Sequence, residues 1–442
     1  MNAEPDDEPL LGGQGNSAPR DRYNVVYIIF YLLGLGSLLP WNFFITAKGY
    51  FQYKLRNTTL PADVDYNDPK FETEHQIMFE TYMAMAAQIP NLIFNFKTAL
   101  LVRKISLKKR MVGSMVFIIA VFVITSVFTK INSDKWQLAF FAFTMVEIVL
   151  LNGASAVFCA STFGLSGMFP TRYIQATMTG QGMGGTFAAL VNILAISSRM
   201  KVVDSALAFF LCAVVTSVLT LCGYIALYFI NFSRFYLVEQ AEFITEIINS
   251  DDSLERKTHH GCTYFIKIFK KIWMDGLGEF ITFFVTLACF PAICSSIFSM
   301  NRDKSSIWSD EYFIPVVCFL LFNIGDWAGR IVAGWIHWPG PRSKGLLLFV
   351  CLLRIGFIPL LMYCNAQPRS HSEVFFTSDV YPVVFILLLG LTNGQLSTVC
   401  MMYGPRRVAP DHAETAGAMM SLFLTLGLTF GSLLSMLLMK LL

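Results

Sequence analysis

The feature that most constrains this chain is the grouping of its apolar residues. They arrive in blocks of about 20, the length at which an α-helix crosses the hydrocarbon core of a bilayer. Eleven blocks are legible, at 23–47, 78–102, 111–131, 138–168, 174–198, 206–231, 277–299, 312–336, 345–363, 381–402 and 415–440. Within lipid, every backbone N–H and C=O must find its partner inside the protein, so each block predicts a helix. The fold class is therefore an all-α polytopic membrane protein. Hydrophobic residues make up 55% of the 442 and charged residues only 14%, about half the share of a soluble domain. A soluble enzyme, a disordered chain and a nucleic-acid binder are all excluded by that balance.

Lys and Arg set the orientation. The short connection between the second and third blocks carries Arg103, Lys104, Lys108, Lys109 and Arg110. This cluster places the N-terminus in the cytosol and the C-terminus outside or in a lumen. Asn57-Thr58-Thr59 then falls in a lumenal loop, where the sequon would be read as a glycosylation site. The organisation reads as a cytosolic tail over 1–22, a six-helix bundle over 23–231, a cytosolic loop over 232–276 and a five-helix bundle over 277–442. The end of that loop, Tyr264 to Trp273, mixes aromatics and lysines at near-helical spacing. It suits either a helix lying in the interface or a plain linker.

Charges inside the blocks carry the functional argument, because a mid-membrane charge is costly to bury. In the eighth block Phe319, Asn323, Asp326 and Arg330 share one helix face. Asp326 and Arg330 stand four apart, the spacing at which a carboxylate meets a guanidinium. Such a pair solves the burial of both charges and leaves donors and acceptors suited to vicinal hydroxyls or a heterocycle edge. A purely structural ion pair is the competing reading. Glu147 and Arg354 are further buried ionisable residues, and Glu414 opens the last block. Gly180 to Gly185 and Gly427 to Gly431 contain small-residue repeats that permit close helix contact. The ten cysteines form no CxxC and no His/Cys cluster, so neither a metal nor a cofactor is expected. The residues alone point to a transporter of a small polar solute. A sugar carrier, or a receptor or scaffold that transports nothing, remain alternatives.

The stretch Leu38-Leu39-Pro40-Trp41-Asn42-Phe43-Phe44 resembles the equilibrative nucleoside transporter family, solute carrier family 29. So do Thr179-Gly180-Gln181-Gly182, Trp308 with Tyr312-Phe313-Ile314-Pro315, and Phe322 through Arg330. Tyr403-Gly404-Pro405 and Ala413-Glu414-Thr415-Ala416-Gly417 complete the series, in the family's order. The resemblance implies a 6+5 arrangement related to the major facilitator fold, and facilitated diffusion by alternating access. It implies that Asp326 and Arg330 engage the ribose hydroxyls, with Asn323 and Phe319 beside them. Trp41, Gln88, Asn91, Phe290 and Leu428 fall where the family lines its pocket. Cys159 stands where family members commonly have a Gln facing the base, which would broaden base selectivity. Arg110 and Glu414 look like a cytosolic gate pair.

The tail sequence Asp6-Asp7-Glu8-Pro9-Leu10-Leu11 has the acidic dileucine form that addresses membrane proteins to late endosomes and lysosomes. Within the family the chain is most like the endolysosomal member. That implies export of nucleosides, and of nucleobases, from an acidic lumen, with sorting adaptors as partners and the plasma membrane as the alternative address. Glu147 and Glu414 are then the candidate pH sensors.

Overall fold

The computed structural model describes residues 19–59, 73–198, 201–237, 262–301, 307–367, 369 and 373–442. The N-terminal half opens with α1 (Val25–Thr46) and a short α2 (Lys48–Lys54). It continues through α3 (Glu74–Leu101), α4 (Leu107–Lys130), α5 (Gln137–Gly167), α6 (Thr171–Ser198) and α7 (Val202–Leu227). The C-terminal half holds α8 (Cys262–Cys289), α9 (Leu321–Trp335), α10 (Lys344–Leu353), α11 (Phe357–Met362), α12 (Val380–Arg406) and α13 (Ala413–Leu441). Wider helical turns over Trp308–Tyr312 and Ile314–Leu320 lead into α9. A tight turn at Arg354–Gly356 joins α10 to α11 as one span.

Nine helices among the described residues are long and apolar enough to cross a membrane. Two more, α3 and α6, are each 28 residues long but carry more polar side chains. Helix α3 begins at a reciprocal cap: the Gln76 amide donates to Thr73 Oγ1 at 3.2 Å, and the Thr73 amide donates to Gln76 Oε1 at 2.9 Å. Helix α8 begins at Cys262, inside the segment read as loop, and runs without a break into the seventh apolar block. Tyr264, Ile268 and Ile272 are buried along it, while Lys267, Lys270 and Lys271 are exposed.

Large apolar residues such as Ile28, Phe96, Val127, Leu194, Phe349 and Leu437 lie exposed on the outside of the bundle. A lipid solvent accepts such a surface where water would not. Inside, two cores form. One draws only on residues between Val26 and Tyr236. The other draws on residues from Tyr264 onward, joined by Phe163, Ile174 and Met178 of α5 and α6. The halves meet where α5 and α3 pack on α13, and where α6 packs on α9 and α12.

Within each half, glycines set the closest helix crossings. A Cβ at Gly394 on α12 would stand 1.9 Å from the Asp326 carbonyl oxygen of α9, and one at Gly180 on α6 would stand 1.9 Å from the Tyr31 carbonyl of α1. Gly427 and Gly431 press α13 against the backbone of α8 in the same manner. Both repeats seen in the sequence are therefore packing surfaces. The α9–α12 contact matters most here, because it brings a second helix against the face that carries Asp326.

Candidate functional site

Helix α9 places Asp326 and Arg330 one turn apart, and the pair forms: Arg330 Nε donates to Asp326 Oδ2 at 2.8 Å. Both residues are buried. The other carboxylate oxygen accepts from Asn393 Nδ2 of α12 at 2.7 Å. The Asn393 carbonyl oxygen accepts in turn from Thr286 Oγ1 of α8 at 2.7 Å. Thr286 accepts from Arg354 Nη2 at 2.8 Å, and Arg354 Nη1 donates to the Thr282 carbonyl at 2.6 Å. Arg354 thus binds backbone and a neighbouring helix. Removing one member of a buried charge pair typically costs about 3–5 kcal/mol, so every link here holds the next in place.

On its N-terminal side the pair abuts α6. Arg330 Nη1 donates to the Met178 carbonyl at 3.0 Å, and Gln175 Nε2 donates to the Arg330 carbonyl at 3.3 Å. A Cβ at Gly182 would meet Arg330 Cδ at 2.8 Å, and one at Gly185 would meet Asn323 Oδ1 at 2.1 Å. The glycines of α6 are what let Arg330 and Asn323 reach it. Asn323 Nδ2 donates to the Phe319 carbonyl at 2.8 Å, while its own carbonyl accepts from Thr186 Oγ1 at 3.1 Å. Phe319 and Phe290 meet with ring centroids 5.7 Å apart, and Phe290 stacks on Phe322 at 4.0 Å.

A second polar chain crosses between the halves. Gln181 Nε2 of α6 donates to Ser37 Oγ of α1 at 3.0 Å and to Cys159 Sγ of α5 at 3.7 Å. Ser421 Oγ of α13 stands 4.0 Å from the same sulfur. Asn95 of α3 donates to Ser421 at 3.1 Å and to Thr425 at 2.8 Å. Cys159 of α5 therefore links α6 and α13, in a polar chain that also takes in α1 and α3. A thiol there is a weak acceptor, and it cannot make the two-sided bond that an amide makes.

The remaining expected lining residues, Trp41, Gln88, Asn91 and Leu428, make no hydrogen bond to the ion pair. Trp41 is partly buried against the N-terminal core, and Leu428 against the C-terminal one. Gln88 and Asn91 are half-buried on α3. Gln88 Oε1 and Asn42 Nδ2 are buried polar atoms without a hydrogen-bond partner. Buried polar atoms are normally satisfied, so these two stand ready for a polar ligand.

Arg110 and Glu414, 304 residues apart, are in direct contact as an ion pair between α4 and α13. Arg110 also donates to Ser161 Oγ of α5 at 3.2 Å. Glu147 is buried on α5 but faces α4, accepting from Thr125 Oγ1 at 3.2 Å. The structure joins it to neither the ion pair nor the Arg110–Glu414 contact. Asn57 Oδ1 accepts from the Thr59 amide at 3.0 Å and from Thr59 Oγ1 at 2.7 Å, which folds the sequon into a local turn. Asp6, Leu10 and Leu11 lie outside the described residues. Among the described residues no cluster of His, Cys, Asp or Glu has the make-up of a metal site.

The model of the nucleoside transporter family matches residues 145–440. Equilibrative nucleoside transporter 3 of Rattus norvegicus is 38% identical, over 97% of this chain and 93% of its own. The chain belongs to the nucleoside transporter family. Equilibrative nucleoside transporters 1 and 2 of Homo sapiens are 36% and 34% identical, each over 95% of this chain and 98% of their own. Among solved structures, the proton:xylose symporter XylE of the major facilitator superfamily is similar with a TM-score of 0.59. That likeness covers 92% of this chain and 87% of the symporter at 14% identity. The human organic anion transporter MFSD10 is similar at 0.58 and 11% identity, over 96% of this chain and 95% of its own. These two likenesses bear on the fold, which is that of the major facilitator superfamily.

For this family member, sequence reasoning missed Asn393, Thr286, Asn95 and Ser421. The signal was present in the uncharged polar residues of the apolar blocks, such as Asn393 in Leu391-Thr392-Asn393-Gly394. An intramembrane amide with no charged neighbour on its own helix gives no local cue, although it has the same need of a partner.

Proposed function

We propose that this chain is an equilibrative nucleoside carrier of endolysosomal membranes, working by alternating access of a six-helix and a five-helix bundle around the Asp326–Arg330 pair. The observation that carries this reading is the buried pair itself, clamped by Asn393 on one side and by α6 of the opposite half on the other. A ribose offers two neighbouring hydroxyls. The carboxylate accepts from one, and the guanidinium edge that bears Nη2 donates to the other. Because Arg330 contacts Met178 across the two halves, bound ligand and bundle movement act on the same group. Asn323 and Phe319, with Phe290, Trp41, Gln88, Asn91 and Leu428, complete the pocket, and Cys159 faces the base.

Helices α3 and α6 are the two spans that raise the count from nine to eleven. Arg110 and Glu414, which are paired, act as the cytosolic gate. The N-terminus is cytosolic, Asn57 is lumenal and glycosylated, and the dileucine tail engages sorting adaptors. Nucleobases share the route, and an acidic lumen favours it. The test of the carrier reading is uptake of labelled adenosine into proteoliposomes without ATP or a sodium gradient. Saturable flux that stops when the two sides equalise supports it, and absence of saturable flux rejects it. Replacing Leu10 and Leu11 by alanine tests the address: the protein should move from lysosomes to the cell surface, and unchanged lysosomal location would reject the dileucine reading.

A further inference from the structure

Glu279 belongs to none of the roles above. It lies on α8 with no exposed surface, and both of its carboxylate oxygens are without a hydrogen-bond partner. An ionised carboxylate in that condition is among the costliest arrangements a protein can hold, and it is relieved by binding a proton. The surroundings give the proton a purpose. Glu279, Thr282 and Thr286 follow one face of α8 at spacings of three and four. Thr282 and Thr286 are the α8 residues that hold Arg354, and Thr286 leads through Asn393 to Asp326.

The charges around Glu279 do not balance without it. Asp326 is matched with Arg330. Arg354 is buried, and its hydrogen-bond partners are all neutral: the carbonyls of Thr282 and Leu389 and the hydroxyls of Thr286 and Thr392. Arg330, Arg354 and Asp326 all lie within electrostatic reach of Glu279, as does the Cys351 thiol of α10. The Cys400 thiol of α12 lies beside the adjoining Gly278. Further along α8, Asp275 is already engaged by Arg407 at 3.0 Å. Helix α13, which packs along α8, carries charge only near its ends, at Glu414 and Lys440. Among the described residues, Asp326 also acts on Arg354 but is matched with Arg330, whereas Glu279 has no partner of its own and is placed to answer the positive charge of Arg354.

We propose that Glu279 is a proton-binding site beside the substrate pair, and that its proton is released and rebound as the halves open and close. In the closed form the carboxyl is neutral and one positive charge remains on Arg354. When water reaches α8, the O–H bond of Glu279 breaks, the electron pair stays on the carboxylate and the proton passes to water. The new carboxylate then neutralises Arg354 and pulls on Arg330, which loosens the hold of Arg330 on Asp326. Proton occupancy and substrate binding become linked through one guanidinium, and this rests on the reading of Asp326 and Arg330 as the nucleoside site.

The test uses the purified full chain in proteoliposomes, wild type beside Glu279→Gln and Glu279→Asp. Infrared difference spectra should contain the carbonyl stretch of a buried carboxylic acid in the wild type, absent from Glu279→Gln and displaced in Glu279→Asp. Adenosine flux in the wild type should vary with pH, by up to about tenfold per pH unit for one linked proton. Glu279→Gln, which mimics the protonated form, should lose that dependence, and Glu279→Asp should keep it with a shifted midpoint. A wild type without the infrared band, a band that persists in Glu279→Gln, or a pH profile unchanged by that substitution would each overturn the proposal. Absence of adenosine flux in the wild type at every pH would instead reject the nucleoside reading, while the infrared result still decides whether Glu279 holds a proton.

Discussion

Replacing Asn393 by leucine removes the amide that donates to Asp326 Oδ1 at 2.7 Å and keeps the same branching and number of heavy atoms in the side chain. A hydrogen bond to a charged group contributes about 1.5–3 kcal/mol. Thr286, which also loses its contact with Asn393, keeps the Thr282 carbonyl as acceptor at 2.9 Å, so the loss falls on the carboxylate. If Asn393 fixes Asp326 for a ribose hydroxyl, this free energy appears in binding as a loss of about 10- to 150-fold in affinity. Asn393→Asp should be worse, because it puts a second carboxylate beside the first. The assay is concentration-dependent adenosine uptake in proteoliposomes, with detergent thermal unfolding alongside to show that each variant folds. The expected order of apparent affinity is wild type, then Asn393→Leu, then Asn393→Asp. A folded Asn393→Leu carrier with affinity within about twofold of wild type, the spread of a neutral substitution, would refute the claim that α12 positions the site.

Glu414→Arg should reduce flux by replacing the contact of the buried Arg110 with the partly buried Glu414 by two like charges. Adding Arg110→Glu should restore much of it, and a double variant as inactive as the single one would deny the pair its gating role. Gly394→Ala should prevent folding, since its Cβ would stand 1.9 Å from the Asp326 carbonyl oxygen. Gly113→Ala meets nothing within 4 Å on α4 and should raise stability by about 0.5–1 kcal/mol; equal melting behaviour of the two variants would contradict the packing argument. Cys159→Gln should spread the relative uptake of purine and pyrimidine nucleosides by about tenfold, the value of one good hydrogen bond. Unchanged ratios would remove position 159 from base selection.

The fold was legible because lipid leaves a chain few choices: an apolar block of the right length becomes a helix whatever its neighbours do. Asp326 and Arg330 were legible for a local reason, since a spacing of four is itself a contact on a helix. Arg110 and Glu414 were not, because nothing in a sequence joins positions 304 residues apart; only the resemblance to a known family suggested the pair, and the structure brings it together. Glu147 is read as a pH sensor from its burial and the acidic lumen that the resemblance implies; the structure buries it and gives it a hydrogen bond to Thr125 of α4, within the same half. Glu279 was passed over because it stood next to a segment read as loop. Once α8 is seen to begin at Cys262, the same residue lies deep inside a helix. Asn393 escaped notice because an amide adds little polarity to a long apolar run, although its two bonds tie α8, α9 and α12 together.

The central claim is that the Asp326–Arg330 pair holds the nucleoside. Equilibrium binding of labelled adenosine to the purified protein, wild type against Asp326→Asn, tests it most directly, with size-exclusion profiles showing that both are folded. Asparagine keeps the shape and removes the charge that both Arg330 and the ribose hydroxyl require. The account predicts a loss of about 100-fold or more, equivalent to about 3 kcal/mol. A folded Asp326→Asn protein that binds adenosine as tightly as the wild type would contradict it.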